Sequence, residues 1–401
     1  MGLRLCPQDT NPFRDFRAGD IFNKKGKSMT ISRSKRGFAL TLGASLMGAT
    51  LLAGTVFADT VPLGPIVAPE INQAKAALGQ RLFFDQRLSG DAAISCASCH
   101  QPENGYSDGL ALSLAYPGSK GFRNTPTLIN TALAANWMHD GRLGTNLNDV
   151  TREMITEDYL MNMDMRLMQE RVKQDPIYVK MFEEAGYGEP SNGSIRKAIP
   201  EYLATLTSRG APFDVGTMSD GAQRGQELFE GKAGCISCHN GRRLTDDQAY
   251  NIGTPENPDI WSDPMRHMTF AAFAQFMGIE NYMNIRRDVG AQIIRHPADG
   301  SDIGSFNTPT LRELSYTAPY MHNGMFGSLF EVVAFYNAGG GDDANKDERI
   351  KPLGLTFVEQ KDIVAFLEAL SGDPLTGPEH VWPDPISTNY PTIENWREVQ
   401  N

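Results

Sequence analysis

The chain has 401 residues and a formal charge of −11, with 40% hydrophobic and 21% charged residues, enough sequence for two domains with cores of their own. Residues 1–58 hold nine Lys/Arg and three Asp, which leaves 28 basic and 45 acidic residues beyond them, a net of −17. So acidic a surface argues against nucleic acid or an anionic membrane as the main partner and suits a partner with a basic face.

The first element in chain order is a targeting segment, residues 1–58. Arg33, Lys35 and Arg36 form a positive region, and residues 38–57 are an apolar stretch rich in small residues. Val56-Phe57-Ala58 then offers a cleavage site before Asp59. By length alone the stretch could anchor in a membrane; its small residues and cleavage motif favour export with removal. Cys6 is lost with it, and Met29 is a candidate start. No apolar run beyond residue 58 is long enough to span a bilayer, so the cleaved chain is not expected to be an integral membrane protein.

The pattern beyond is helical with long loops. Ile71, Ala74, Leu78 and Leu82 line one helix face, and residues 164–184 and 194–208 carry similar periodicity. Within 161–168 four positions are Met, a composition that could suggest copper; helical packing explains it better. Residues 209–222 are aperiodic and contain Gly and Pro, so the domain boundary falls there: an N-terminal domain 59–208, a linker 209–222 and a C-terminal domain 223–401. Thr356 and Glu359 form a capping box that opens a C-terminal helix ending at Gly372.

The four cysteines after residue 58 are Cys96, Cys99, Cys235 and Cys238. Exported proteins usually pair cysteines as disulfides, but each of these pairs is followed at once by a histidine, His100 and His239. C-x-x-C-H is the attachment pattern for c-type haem. Two thiols one turn apart add to the two vinyl groups of a porphyrin, and the adjacent imidazole binds the iron. A redox C-x-x-C or a zinc site would not require His after both pairs. Two covalent haems are therefore expected.

The halves also repeat one another. Asn124-Thr125-Pro126-Thr127-Leu128 recurs as Asn307-Thr308-Pro309-Thr310-Leu311. Met138-His139-Asp140-Gly141 recurs as Met321-His322-Asn323-Gly324, and Leu78–Phe83 resembles Arg224–Phe229. Two copies mean an internal duplication of one haem-binding unit rather than a solenoid.

With these motifs in hand, the sequence over most of 70–373 resembles the bacterial di-haem cytochrome c peroxidase/MauG family. Besides both C-x-x-C-H motifs, the likeness rests on Arg123–Thr127, His139–Arg142, Thr308–Arg312, Thr317–Gly324 and Phe335-Tyr336-Asn337. The resemblance implies a mainly α fold of two cytochrome c-like haem domains with one calcium ion between them, in the periplasm. It makes His100 the proximal ligand of a peroxidatic haem and His239 that of an electron-transfer haem.

Where the family's peroxidases place a distal His, sixteen residues after the first motif, this chain has Tyr116 and no His, which resembles MauG-like members, whose first haem stays open. Where they place an axial Met, fourteen residues beyond His322, it has Tyr336; Met325 or Met321 would be the alternative ligand. A phenolate is a hard anionic donor that favours higher oxidation states of iron, whereas a thioether favours Fe(II). Asn124 and the carbonyls of Thr317 and Pro319 resemble the calcium site, a hard-oxygen set.

Departures occur too. The family's inter-haem Trp position is His139, with Trp137 two residues earlier as a substitute relay. The run that carries the family's distal Glu is missing, which leaves Glu157 and Asp158 as the nearest acids. The function implied is reduction of hydrogen peroxide. Electrons would come from a small cytochrome or cupredoxin, or from Trp or Tyr side chains of a protein substrate oxidised at long range. A non-catalytic di-haem electron carrier is the alternative from another class.

Overall fold

The computed structural model describes residues 61–377 apart from 117, 118, 145, 296, 298 and 299, all within one compact unit. The targeting segment, its cleavage site and Cys6 lie outside the described residues. The fold is mainly helical, and no described helix is long and apolar enough to cross a membrane.

Helix α1 (Gln73–Phe84) starts at an Asn72 cap, whose side chain accepts from the Lys75 amide at 3.1 Å. Ile71, which the periodicity counts into this helix, precedes the cap. The α2 helix (Leu147–Thr156) follows a long loop. The stretch 164–184 divides into α3 (Met165–Lys173) and α4 (Pro176–Glu184), because Asp175 caps the second helix and Pro176 takes its first position, where no amide donor is needed. Helix α5 (Asn192–Thr205) crosses α1, and together they bury Leu78, Leu82, Phe83, Ile195, Ile199 and Leu203. Met161, Met163 and Met168 pack into this same core.

A short α6 (Pro212–Val215) leads into α7 (Asp220–Glu230), which crosses α12 (Phe357–Glu368) as α1 crosses α5. The second core joins Phe229, Ile363, Phe366 and Leu367 to Leu329 and Val333 of α11 (Leu329–Asn337). The Thr356/Glu359 capping box is present, but α12 ends at Glu368; Gly372 instead lets the chain pass against the Arg209 carbonyl. A third apolar cluster is built by α8 (Asp259–Ser262), α9 (Pro264–Phe276) and the segment leading into α10 (Gln292–Arg295), and takes in Leu112 and Phe122 from the first half. The only strands among the described residues are β1 (Ala249–Tyr250) and β2 (Phe306–Asn307), antiparallel, with Ala249 opposite Asn307.

The halves repeat in detail. Gly79 of α1 and Gly225 of α7 occupy matching positions, and a Cβ on either would overlap a backbone carbonyl of the crossing helix, Ala198 or Asp362. Asn130 and Glu313 both take a left-handed conformation before a short 3-10 turn, as do Met138 and Met321 at the next motif. The amide of Trp137 donates to Leu143 at 2.6 Å, and that of Tyr320 to Phe326 at 2.7 Å.

Candidate active site

Each C-x-x-C-H run forms one 3-10 turn, Cys96–Ser98 and Cys235–Ser237, with the histidine amide donating to the first cysteine's carbonyl at 2.9 Å in both. The turn places both thiols and the imidazole on one wall. All four cysteines are free thiols. Burial pushes Cys96 up to about 12, Cys99 to about 11 and Cys235 to about 12, so they stand as neutral S–H groups. His100 Nδ1 lies 3.0 Å from the Tyr106 carbonyl and His239 Nδ1 3.0 Å from the Leu244 carbonyl. A carbonyl only accepts, so Nδ1 carries the proton in both and Nε2 keeps its lone pair. Burial lowers both imidazole pKa values, which keeps them neutral and ready to bind iron.

These groups line one continuous cavity of about 910 Å³ that runs through both halves. Its walls are apolar for most of their area, supplied by α1, α2, α5, α11 and α12. Free paired thiols, an imidazole with an open Nε2 beside each pair and an apolar cavity of this size fit a porphyrin in each half. Tyr336 faces the same space beside Cys235 and Cys238; burial raises its pKa. Met321 lines the cavity as well, and Met325 does not. The Tyr116 hydroxyl is engaged by Asp91.

The halves meet through a reciprocal pair of hydrogen bonds. The Asn124 amide donates to the His322 carbonyl at 2.7 Å, and the Asn307 amide donates to the His139 carbonyl at 2.7 Å. The His139 and His322 rings therefore lie 6.5 Å apart at the junction. His139 Nε2 donates to the Asn124 carbonyl at 2.8 Å, while His322 stacks on Phe306 at 3.5 Å and its buried Nε2 has no partner. Trp137 lines the cavity, with its indole N–H donated to the Thr131 carbonyl at 3.1 Å.

Asn124, Thr317 and Pro319 all border the cavity. The Asn124 side-chain NH₂ donates to the Leu110 carbonyl at 2.6 Å, and its amide oxygen is the atom that could serve a cation. The described residues hold no cluster of three His, Cys, Asp or Glu side chains suited to a metal, so a calcium ion here would rest on amide and carbonyl oxygens.

Beside the junction lies an ionic network that no motif announced. Arg123 grips Asp288 through Nε at 2.6 Å and Nη2 at 2.8 Å, and reaches Asp140 at 2.5 Å; Arg142 also holds Asp140 at 2.9 Å. Burial raises the Asp288 pKa, but Arg123 outweighs it and brings the value down to about 2. Burial and the neighbouring Asp288 push Glu256 up to about 7. Arg123, Asp140 and Arg142 belong to the runs that carry the family resemblance, whereas Asp288 and Glu256 sit in the 250–305 segment, which has no counterpart in the first half and so carried no signal. The expected distal acids Glu157 and Asp158 fall at the end of α2 and do not line the cavity, although Met154, Ile155, Tyr159, Leu160 and Met161 around them do.

Residues 73–222 match the family model described as di-haem cytochrome c peroxidase. The chain is 45% identical over 333 residues to cytochrome-c peroxidase IdrP2 of Pseudomonas sp. strain SCT, covering 81% of this chain and 88% of that one. It is 34% identical over 315 residues to the methylamine utilization protein MauG of Methylorubrum extorquens, covering 77% and 81%. Among solved structures, a MauG-like protein associated with microbial copper homeostasis superposes with a TM-score of 0.65 at 25% identity, over 83% of this chain and 99% of that one.

Proposed function

This chain belongs to the di-haem cytochrome c peroxidase family and is a peroxidase-type oxidoreductase, and from that premise we propose that it reduces hydrogen peroxide in the periplasm and oxidises a protein partner by long-range electron transfer. In this reading Cys96, Cys99 and His100 hold the haem that meets peroxide. Cys235, Cys238, His239 and Tyr336 hold a second haem, in the 223–401 domain, that exchanges electrons with the partner. Haem, when bound, supplies the redox chemistry. The chain's own contribution is to attach two such groups at fixed separation, exclude water from the apolar walls and set the ligand at each iron.

The observation that carries this reading is Tyr336: a buried phenol in the cavity beside the second cysteine pair, where burial keeps it neutral unless a cation is near. A ferric centre would supply that cation, and the resulting phenolate lowers the potential of the site. That favours a partner with oxidisable Trp or Tyr side chains over a small cytochrome or cupredoxin donor, which a high-potential Met-ligated site would suit. Calcium at Asn124, Thr317 and Pro319 would tie the halves together beside the His139–His322 contact.

The experiment is rapid mixing of the diferric holoprotein with one equivalent of hydrogen peroxide, followed by haem absorbance. Stoichiometric consumption at a rate constant of about 10⁴ M⁻¹s⁻¹ or faster is expected, and it should vanish in Cys96→Ser/Cys99→Ser together with one of the two haems. Slow bleaching at both haems would instead describe an electron carrier without chemistry of its own.

A further inference from the structure

Cleaving a peroxide calls for a group that takes a proton from one oxygen and delivers one to the other. A carboxylate is the usual agent, but Asp347 is the one Asp or Glu among the described lining residues, and it belongs to the second half. The first half has to relay protons by other means.

Most polar donors on that side are already engaged. Arg142 is held by Asp140, Lys120 by Asp263, His139 by the Asn124 carbonyl and Trp137 by Thr131. Tyr159 differs. It lines the cavity half-buried, its backbone carbonyl fixed by the Tyr116 amide at 2.9 Å. Its ring meets the edge of Phe273 with centroids 6.4 Å apart, and the Arg142 guanidinium lies 5.2 Å over that same Phe273 ring. Burial, outweighing the pull of Arg142, pushes its pKa up to about 12, so the phenol keeps its proton throughout the neutral range.

We propose that the Tyr159 hydroxyl is the proton relay of the peroxide site, with Arg142 as the positive charge behind it. This rests on the reading that peroxide is reduced at the His100 haem. The phenol oxygen accepts the proton leaving the near peroxide oxygen while its own proton passes to the far oxygen. Over the whole turnover the O–O bond breaks and both oxygens leave as water, with two electrons that the haem, when bound, would supply and two protons from solvent. The exchange leaves Tyr159 as it began, so it never ionises, and a high pKa is no obstacle. Arg142 stabilises the negative charge that builds on the peroxide as its proton moves.

Tyr159→Phe removes the hydroxyl and keeps the ring against Phe273, so the fold is retained. Two readouts test it on the haem-loaded protein. The first is the bimolecular rate constant for peroxide consumption, expected to fall at least 100-fold. The second needs no turnover: fluoride on the ferric protein accepts a hydrogen bond from a donor over the iron. Its affinity should fall about 10-fold in Tyr159→Phe, with a shift of the fluoride charge-transfer band and an unchanged haem count. Unchanged fluoride affinity and band position would overturn the assignment, as would an unchanged peroxide rate alongside a large loss in Glu157→Gln. If the wild type itself fails to consume peroxide, the functional reading falls, and the fluoride comparison still decides whether Tyr159 faces the ligand.

Discussion

At the residue scale, two buried groups show how location sets chemistry. Tyr336 and His239 come from segments nearly a hundred residues apart, yet both line the cavity beside Cys235 and Cys238, and the attachment motif and the resemblance's ligand offset pointed to each of them. Glu256 had no such pattern. Its uncharged state depends on burial and on Asp288, a partner that only the folded chain brings near. The folded-state value of about 7 lies above the ordinary 4.5. The folded protein therefore holds this proton where the unfolded chain has lost it. The stabilisation is full below pH 4.5 or so and disappears as pH rises through about 7. Glu256→Gln keeps the uncharged form at every pH. Urea unfolding at pH 5 and pH 8 should show a smaller drop in stability for the variant, by on the order of 2 kcal/mol; equal drops would assign the titration to another group.

At the element scale, the matching glycines of α1 and α7 carry the most structural information. Each lets a crossing helix approach its backbone, so the packing of α7 on α12 depends on the missing side chain. Gly225→Ala should gain somewhat in helix propensity yet lose more through displacement of α12, a net loss of about 1–3 kcal/mol in denaturant unfolding. A stabilised variant would mean that the crossing tolerates a wider separation. The sequence revealed α1 and α5 through the spacing of their buried residues and α12 through its Thr356/Glu359 capping box. It did not reveal α9. That helix buries Thr269, Phe270, Phe273 and Ala274 on one side and exposes Met265, Met268 and Phe276 on the other, so apolar residues surround it and no amphipathic period stands out. The 164–184 stretch read as continuous because periodicity survives the break, while the break itself was written in Asp175-Pro176.

At the scale of the whole molecule, the two halves join where their repeated motifs touch. The reciprocal Asn124–His322 and Asn307–His139 hydrogen bonds relate the junction by an approximate two-fold, and the Arg123–Asp288 pair clamps it from beside. Sequence repetition announced that two equivalent units exist, but not that His139 rather than Trp137 reaches the junction, because that depends on the turn at Met138, whose φ is +71°. Chelation of calcium should loosen this contact and slow electron transfer between the haems, read by flash photolysis of the half-reduced protein. An unchanged rate after the metal is stripped would remove calcium from the account. The central claim is that one iron is open and the other is bound by His239 and Tyr336. Its most direct test is the EPR spectrum of the diferric holoprotein beside that of Tyr336→Met. The account predicts one high-spin ferric signal and one low-spin signal in the wild type, with only the low-spin signal changed by the substitution. Two low-spin signals, or identical spectra from both proteins, would contradict it.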